Sequence, residues 1–212
     1  MKKSNINIET FDLWAREDRD LGMQKGHTPA VERMLEIIRN HTESTNKKFS
    51  FLDIGCGNGW VVRMLSKDSN CIHSVGIDGS PSMVKKAISN NNDGEYICAD
   101  IENWIYKSKF KIAFSMETFY YFSNPALIVK NVYNNLLEDN GIFILGIDHY
   151  KENKSTLNWD DQFNIKTTTM RIEEWRNIFL DVGFSNVYAE QFNAKENWAG
   201  TLILLGIKKN VF

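Results

Sequence analysis

The chain has 212 residues, 42% of them hydrophobic, and its 25 Lys and Arg residues nearly balance 27 Asp and Glu residues, giving a formal net charge of -2. This length predicts one ordinary domain with a sizeable core, and the balanced charge lacks the basic excess typical of proteins that bind nucleic acid unaided. No apolar run approaches the roughly 18 residues of a membrane span, and the N-terminal lysines precede no apolar core of a secretory signal.

The three cysteines, Cys56, Cys71 and Cys98, are widely spaced and form no CxxC or Cys/His cluster. This pattern predicts reduced thiols rather than a disulfide framework, and it indicates no metal site. We therefore expect a cytoplasmic protein that works without a bound metal.

The first predicted helix begins near residue 28. Apolar residues recur at helical spacing from Val31 onward, and Thr28 followed by Pro29 is typical of an N-cap and first helical turn. The sequence therefore predicts a helix over residues 28–41. Residues 42–48 show no periodicity, which is typical of a connector.

The middle of the chain alternates short apolar runs with helical patterns. Alternation of this kind predicts βαβ units and a parallel sheet that carries helices on both faces. The predicted strands are residues 51–54, 72–77, 95–98, 111–115 and 141–147, and the predicted helices are residues 60–65, 82–88 and 126–137.

The C-terminal third departs from this alternation. Residues 151–169 are polar with scattered aromatic side chains, and a helical pattern over 172–182 ends at Gly183. Two strand patterns follow, over 186–193 and 200–207, and the six residues between them are too few for a crossover. We therefore predict a seven-stranded, mostly parallel α/β sheet that ends in an antiparallel hairpin.

A glycine-rich turn follows the first predicted strand. The strand ends at Asp53, and Gly55, Gly57 and Gly59 then allow a tight turn and close approach of the backbone to a ligand. A dinucleotide fingerprint would need a small residue at position 60, where this chain has Trp60, and the phosphate-loop pattern is absent. The turn therefore predicts a ligand site without a phosphate cradle.

An acidic residue ends the second predicted strand. Asp78 lies nineteen positions after Gly59, at the end of an apolar run. A carboxylate at that point can accept hydrogen bonds from two vicinal ribose hydroxyls.

Four motifs in this order resemble those of the class I S-adenosylmethionine-dependent methyltransferases, in particular the group that acts on small molecules. The motifs are residues 53–59, 75–83, 97–102 and 114–117. The resemblance implies a Rossmann-like, doubly wound fold, with S-adenosylmethionine as cofactor and S-adenosylhomocysteine as product. It also implies a single domain over 1–212, made of an N-terminal arm and helix (1–41), a cofactor-binding half (50–150) and a substrate-side part (151–212).

The resemblance assigns a part of the cofactor to each motif. It places the methionine part on the backbone of the glycine turn, the ribose on Asp78, the adenine amino group on Asp100, and the adenine ring against Met83. One departure is Gly79, where the family usually has a bulky apolar side chain, so that Ile101 or Met83 is expected to fill the space. The full set of expected cofactor-binding residues is Asp53, Gly55, Cys56, Gly57, Asn58, Gly59, Asp78, Gly79, Ser80, Met83, Asp100, Ile101, Glu102, Ser115 and Met116.

Residues that follow the fourth and fifth strands are the candidates for catalysis, because ligands of open α/β sheets bind beyond the carboxyl ends of the strands. His149 is a candidate base, and it is equally compatible with a partly exposed loop position. Glu117 is a second candidate, with a helix-capping or cofactor-facing role as its alternative. Tyr120 is a third, although packing explains it as well.

Two further segments are candidates for closing the site. The N-terminal arm is compatible with a lid that brings Lys25 or His27 near the methionine carboxylate, and equally with an ordinary capping segment. In the C-terminal third, Trp159 and Trp198 are compatible with aromatic walls of a substrate pocket and with core positions.

Only the absence of certain motifs narrows the class of acceptor molecule. No Asn/Asp-Pro-Pro-aromatic motif and no Pro-Cys pair occur, and the basic pairs are dispersed along the chain. We therefore expect a small-molecule acceptor, with neither a membrane nor a nucleic acid as an unaided partner. A protein or RNA target reached with a partner, and a non-catalytic cofactor-binding module, remain as alternatives. The sequence predicts no oligomeric state.

Overall fold

The fold is described from a computed structural model, which covers residues 5–42, 48–90 and 93–209. These residues form a central seven-stranded sheet flanked by helices. The strands are β1 (Phe49–Ile54), β2 (Cys71–Asp78), β3 (Glu95–Cys98), β4 (Phe110–Met116), β5 (Leu137–Ile147), β6 (Phe184–Phe192) and β7 (Thr201–Lys208). The helices are α1 (Ile6–Arg16), α2 (Arg19–Thr42), α3 (Trp60–Leu65), α4 (Pro81–Asn90), α5 (Pro125–Asn131), α6 (Trp159–Phe163) and α7 (Ile172–Val182).

The sheet has the strand order β3-β2-β1-β4-β5-β7-β6. β1 to β5 pair in parallel, whereas β7 runs antiparallel to both β5 and β6. The predicted fold class, including the antiparallel C-terminal hairpin, is therefore confirmed. The strand order reverses between β1 and β4, and a crevice forms at such a switch point beyond the carboxyl ends of the strands.

Alternate residues of each central strand enter two separate cores. On β4, Ile112 and Phe114 pack with Met34 of α2, while Ala113 between them packs with Phe179 of α7 on the opposite face. All five side chains are buried. This period-2 alternation is what a strand covered by helices on both faces requires.

The predicted start of the first long helix was wrong. α2 begins at Arg19 and continues through Pro29 instead of starting at Thr28. The Thr28 hydroxyl donates to the Gln24 carbonyl oxygen at 2.8 Å, which is a bond to the preceding turn rather than an N-cap bond. The N-terminal arm therefore consists of α1 and the first turns of α2.

Other boundaries differ by smaller amounts. The predicted helix over 126–137 ends at Asn131, and a wider turn, Val132–Leu136, leads into β5. Most of the predicted connector, residues 43–47, lies outside the described residues. No helix in the described part of the chain is long and apolar enough to cross a membrane.

Candidate active site

The glycine turn between β1 and α3 is forced into left-handed backbone. Gly55, Gly57 and Gly59 have φ angles of 77°, 51° and 75°. A Cβ atom at Gly55 would lie 1.9 Å from Thr118 Oγ1, and one at Gly59 would lie 2.4 Å from Tyr96 Cε1. Glycine is therefore required at these two positions both by conformation and by space.

Asp78 holds the glycine turn against the end of β2. Its Oδ2 accepts from the Gly57 N–H at 2.9 Å, and its Oδ1 accepts from the Ser80 N–H at 2.8 Å. Burial raises the pKa of Asp78, and the backbone hydrogen bonds oppose that shift. Burial, together with the charge of Asp78, raises the pKa of the neighbouring Asp53 to about 8.

A groove lies along the carboxyl ends of β1, β2 and β4, with about 1140 Å³ of space that includes part open to solvent. Its described lining contains no Lys or Arg side chain. The acidic residues that line it are Asp20, Asp53, Asp78, Asp100 and Glu117. The groove is therefore suited to a cationic ligand and not to a phosphate.

The N-terminal helices form one wall of this groove. Ile8 and Phe11 of α1 and Met23 and His27 of α2 line it. Asp12 Oδ1 ties α1 to the opposite wall, because it accepts from the Ser80 hydroxyl at 3.0 Å and from the Ser82 N–H at 2.7 Å. The arm, which we call the lid, thus forms one side of the groove.

A second set of contacts fixes α2 to the glycine turn. The Asn58 side chain donates to Asp20 Oδ2 at 2.9 Å and to Gln24 Oε1 at 3.2 Å. Lys86 Nζ of α4 lies 2.6 Å from Asp20 Oδ1. Asn58 therefore connects the lid to the turn instead of facing only a ligand.

The structure explains why position 79 is occupied by a glycine. A Cβ atom at this position would lie 2.8 Å from Ile8 Cδ1 and 2.9 Å from Ile8 Cγ1. Ile8 of α1, rather than Ile101 or Met83 as expected, fills the space beside Gly79. An apolar side chain is thus supplied from the lid.

Most of the expected cofactor-binding residues meet in this one groove. It is lined by Asp53, Gly55, Cys56, Gly57, Asn58, Asp78, Gly79, Ser80, Met83, Asp100, Ile101 and Met116. Three of the expected residues, Gly59, Glu102 and Ser115, are not part of the lining. Ser115 is fully buried, and its hydroxyl donates to the Ile54 carbonyl oxygen at 2.8 Å, joining β4 to β1.

Glu117 follows β4 in a left-handed conformation, with φ of 58°. A non-glycine residue held in this region is strained, and such strain clusters at functional sites. Its carboxylate accepts from the Tyr120 hydroxyl at 2.7 Å and from the Asp148 N–H. Burial first, and then the nearby Asp148 charge, raises the pKa of Glu117 well above its ordinary value.

His149 lines neither the groove nor a second cavity that adjoins it. It is 1% exposed, so the alternative of a partly exposed loop position was wrong. Its Nδ1 lies 3.1 Å from the Thr156 carbonyl oxygen, and its Nε2 lies 2.8 Å from Thr169 Oγ1. Tyr120 lines neither cavity but contacts Glu117, as a positioning residue would.

A second cavity adjoins the groove and has about 730 Å³ of space, part of it open to solvent. His27 lines both cavities, Asp148 lines the second one, and Glu117 lines the groove. One ligand atom from each of these three side chains lies within 4.8 Å of the others. Trp198 also lines the second cavity, whereas Trp159 packs against Tyr120 instead.

Sequence reasoning considered the N-terminal arm as a lid but did not predict that it contains helix α1. The signals were present, since Asn5 is an N-cap residue and apolar side chains recur from Ile6 to Trp14. Asp148 and His149 are adjacent after β5, and only the structure shows that Asp148 faces the cavity.

Comparison with known proteins finds that this chain is similar to methyltransferases. A family model described as a methyltransferase domain matches residues 22–189. The malonyl-[acyl-carrier protein] O-methyltransferase of Bacillus anthracis is 26% identical over 179 residues, which cover 84% of this chain and 59% of that protein. The chain spans about half the length of the curated relatives it matches.

Solved structures share the fold. A methyltransferase of Haloferax volcanii in complex with the Trm112 methyltransferase activator has a TM-score of 0.74 and 22% identity, covering 94% of this chain and 98% of that one. The plantazolicin methyltransferase BamL, solved with a desmethylPZN analog and SAH, has a TM-score of 0.75 and 19% identity, covering 97% and 95%.

Proposed function

This chain belongs to the methyltransferase-domain family, and from that premise we propose that it transfers a methyl group from S-adenosylmethionine to a small-molecule acceptor. The observation that carries the proposal is the acidic groove, where the glycine turn and the carboxylates of Asp53, Asp78 and Asp100 come together. A scaffold without a ligand has no physical need for this arrangement, because buried carboxylates cost free energy.

The residues of the groove fit the proposed cofactor. S-adenosylmethionine carries a sulfonium and an ammonium group, and the described lining is acidic without any Lys or Arg. The glycine turn would hold the methionine part, Asp78 the ribose hydroxyls and Asp100 the adenine amino group. Asp100 Oδ1 accepts from the Glu102 N–H at 3.1 Å, which fixes the direction of that carboxylate.

The chemistry asked of the protein is positioning. The cofactor supplies a methyl group already activated by the sulfonium charge. The chain must orient the acceptor in line, exclude water and accept any proton that the acceptor loses. We assign water exclusion to the lid formed by α1 and α2, and acceptor orientation to the region around Glu117.

Calorimetry and label transfer together test the proposed function. We expect S-adenosylhomocysteine to bind the full chain at one site, and tritiated methyl groups to pass to a component of a small-metabolite pool. Absence of binding would refute the proposal. Transfer only to peptide or RNA pools would replace the small-molecule acceptor with a macromolecular one.

The contact between Ile8 and Gly79 predicts a compensating pair of substitutions. Gly79→Leu should weaken S-adenosylhomocysteine binding by about tenfold, because the new side chain overlaps Ile8 and displaces the lid. Gly79→Leu combined with Ile8→Ala should restore the affinity to within about threefold. Calorimetry on both variants and on Ile8→Ala alone measures this, and a non-compensating pair would show that the lid does not close at Gly79.

A second candidate is a methyltransferase that works with a partner protein on a larger target. It is favoured by one observation, the similarity to a chain solved with a methyltransferase activator. Methyl transfer that appears only after a partner is added would support this candidate over an enzyme that acts alone.

A further inference from the structure

His27, Glu117 and Asp148 meet at the junction of the two cavities. They come from three distant parts of the chain, the lid helix α2 and the residues that follow β4 and β5. One ligand atom of each lies within 4.8 Å of the others. Three acceptors placed at hydrogen-bond distance around one tetrahedral nitrogen lie about 4.6 Å apart. The upper limit on the separations thus allows the three side chains to contact a single ammonium nitrogen.

Two of the three side chains retain open acceptor positions. Asp148 is 7% exposed, and its Oδ1 accepts from the Thr201 hydroxyl at 2.7 Å, whereas its Oδ2 has no hydrogen bond in the described part of the chain. His27 has no hydrogen-bond partner among the described residues either, and it lines both cavities. Burial lowers the pKa of His27 to about 4, so that its ring is neutral and can accept. These open acceptor positions belong to side chains that line the cavities, where a ligand can reach them.

The charge around the group selects the ligand class. The groove on one side is lined by carboxylates, without Lys or Arg in its described lining, and Lys195 is the only such residue among those lining the second cavity. An acceptor carboxylate placed here would face Glu117 and Asp148, and it would be repelled by them wherever they are ionised. An ammonium group would favour the ionised form of both carboxyl groups and could donate one N–H to each of the three side chains.

We propose that the second cavity binds an amine acceptor, whose ammonium group is held by His27, Glu117 and Asp148 and whose nitrogen receives the methyl group. This inference rests on the proposed methyl-transfer function and names its substrate class. It differs from the carboxylate chemistry that the name of the malonyl-[acyl-carrier protein] relative indicates for that protein.

An ammonium nitrogen must lose a proton before it can accept a methyl group. The ammonium nitrogen loses one proton to the free Oδ2 of Asp148 and so gains a lone pair. The nitrogen then forms a bond to the methyl carbon, and the electron pair of the broken carbon–sulfur bond stays on sulfur, leaving a thioether. The pKa of Asp148 is raised by burial to about 6, which suits it to exchange a proton near neutral pH.

Matched pairs of amines and acids test the ligand class in the S-adenosylhomocysteine-loaded full chain. The probes are benzylamine, n-hexylamine and putrescine, paired with benzoate, hexanoate and succinate. We expect calorimetry to show at least one amine binding about tenfold or more tightly than its paired acid. Equal or tighter binding of the acids, or binding of no amine, overturns the proposal.

Variants connect the binding to the three side chains. Asp148→Asn keeps an acceptor for Thr201 and should weaken amine binding by about tenfold or more, with S-adenosylhomocysteine affinity within about twofold of wild type. Asp161→Asn makes the same change at an exposed residue of α6 and should alter neither amine binding nor the affinity for S-adenosylhomocysteine. Lys195→Met removes a positive charge from the cavity wall and should strengthen amine binding. Loss of acceptor binding in this variant would indicate an anionic acceptor instead and would overturn the proposal.

A divalent cation is the competing occupant of the same three ligand atoms. Binding of Mn²⁺ to the chain that is lost in His27→Ala, with no preference for amines, would overturn the amine proposal in favour of a metal site. Failure of the wild-type chain to bind S-adenosylhomocysteine would instead refute the proposed function. The two failures are therefore distinguishable.

Discussion

Asp78→Ala should lower the affinity for S-adenosylhomocysteine by about 100-fold or more. The carboxylate ends β2 in the groove, and we propose that it accepts from both ribose hydroxyls. A hydrogen bond to a charged group contributes about 1.5–3 kcal/mol, so two such bonds correspond to about two orders of magnitude or more. The substitution also removes the acceptor for the Gly57 and Ser80 N–H groups, which loosens the glycine turn.

The control separates loss of binding from loss of fold. Asp161→Ala removes a carboxylate from an exposed helix position and should bind S-adenosylhomocysteine like the wild type. Thermal unfolding monitored by circular dichroism should show a cooperative transition for both variants. A folded Asp78→Ala chain with unchanged affinity would exclude the assigned ribose contact.

The sheet and its active edge could be predicted because they depend on local patterns. Helix α3 begins at Trp60 and α7 ends at Val182, as the hydrophobic periodicity indicates, and both ends are marked by adjacent glycines. The turn glycines and Asp78 could be predicted to share the ligand edge because the carboxyl ends of parallel strands meet at the same side of a sheet.

The lid could not be predicted to the same degree, because distant contacts hold it in place. The Thr28-Pro29 pair has the local form of a helix start, yet α2 continues through it. The arm is anchored by Asp12 on Ser80 and by Asp20 on Asn58, pairs that are separated by 68 and 38 positions in the chain. Local propensity contains no information about such pairs.

The position of His149, the candidate base, also could not be predicted from local sequence. Adjacent residues at a strand end point to opposite sides, so a sequence that contains Asp148-His149 does not reveal which one faces the cavity. Asp148 lines the cavity, while His149 is held by Thr156 and Thr169 and does not line it. The histidine that does reach the site, His27, belongs to a helix whose start had been placed after it.

Glu117→Gln should reduce turnover by about 100-fold or more while leaving S-adenosylhomocysteine affinity within about threefold of the wild type. Gln has nearly the same shape and can keep the bonds with the Asp148 N–H and the Tyr120 hydroxyl, the latter with its proton reoriented toward Tyr121. Gln cannot ionise, so the variant loses the negative charge that Glu117 gains when the sulfonium cofactor lies nearby and opposes the effect of burial on its pKa. A buried charge of this kind contributes several kcal/mol to positioning and transition-state stabilisation.

Single-turnover transfer of tritiated methyl groups, with the best acceptor found in the metabolite pool, measures this effect. Glu173→Gln makes the same change on the exposed side of α7 and should retain full turnover. A reduction in affinity for the cofactor product instead of turnover would assign Glu117 to cofactor binding, the alternative that its position in the groove allows. Unchanged turnover and affinity together would mean that the strained backbone at Glu117 serves only to cap β4 through the Asp148 N–H.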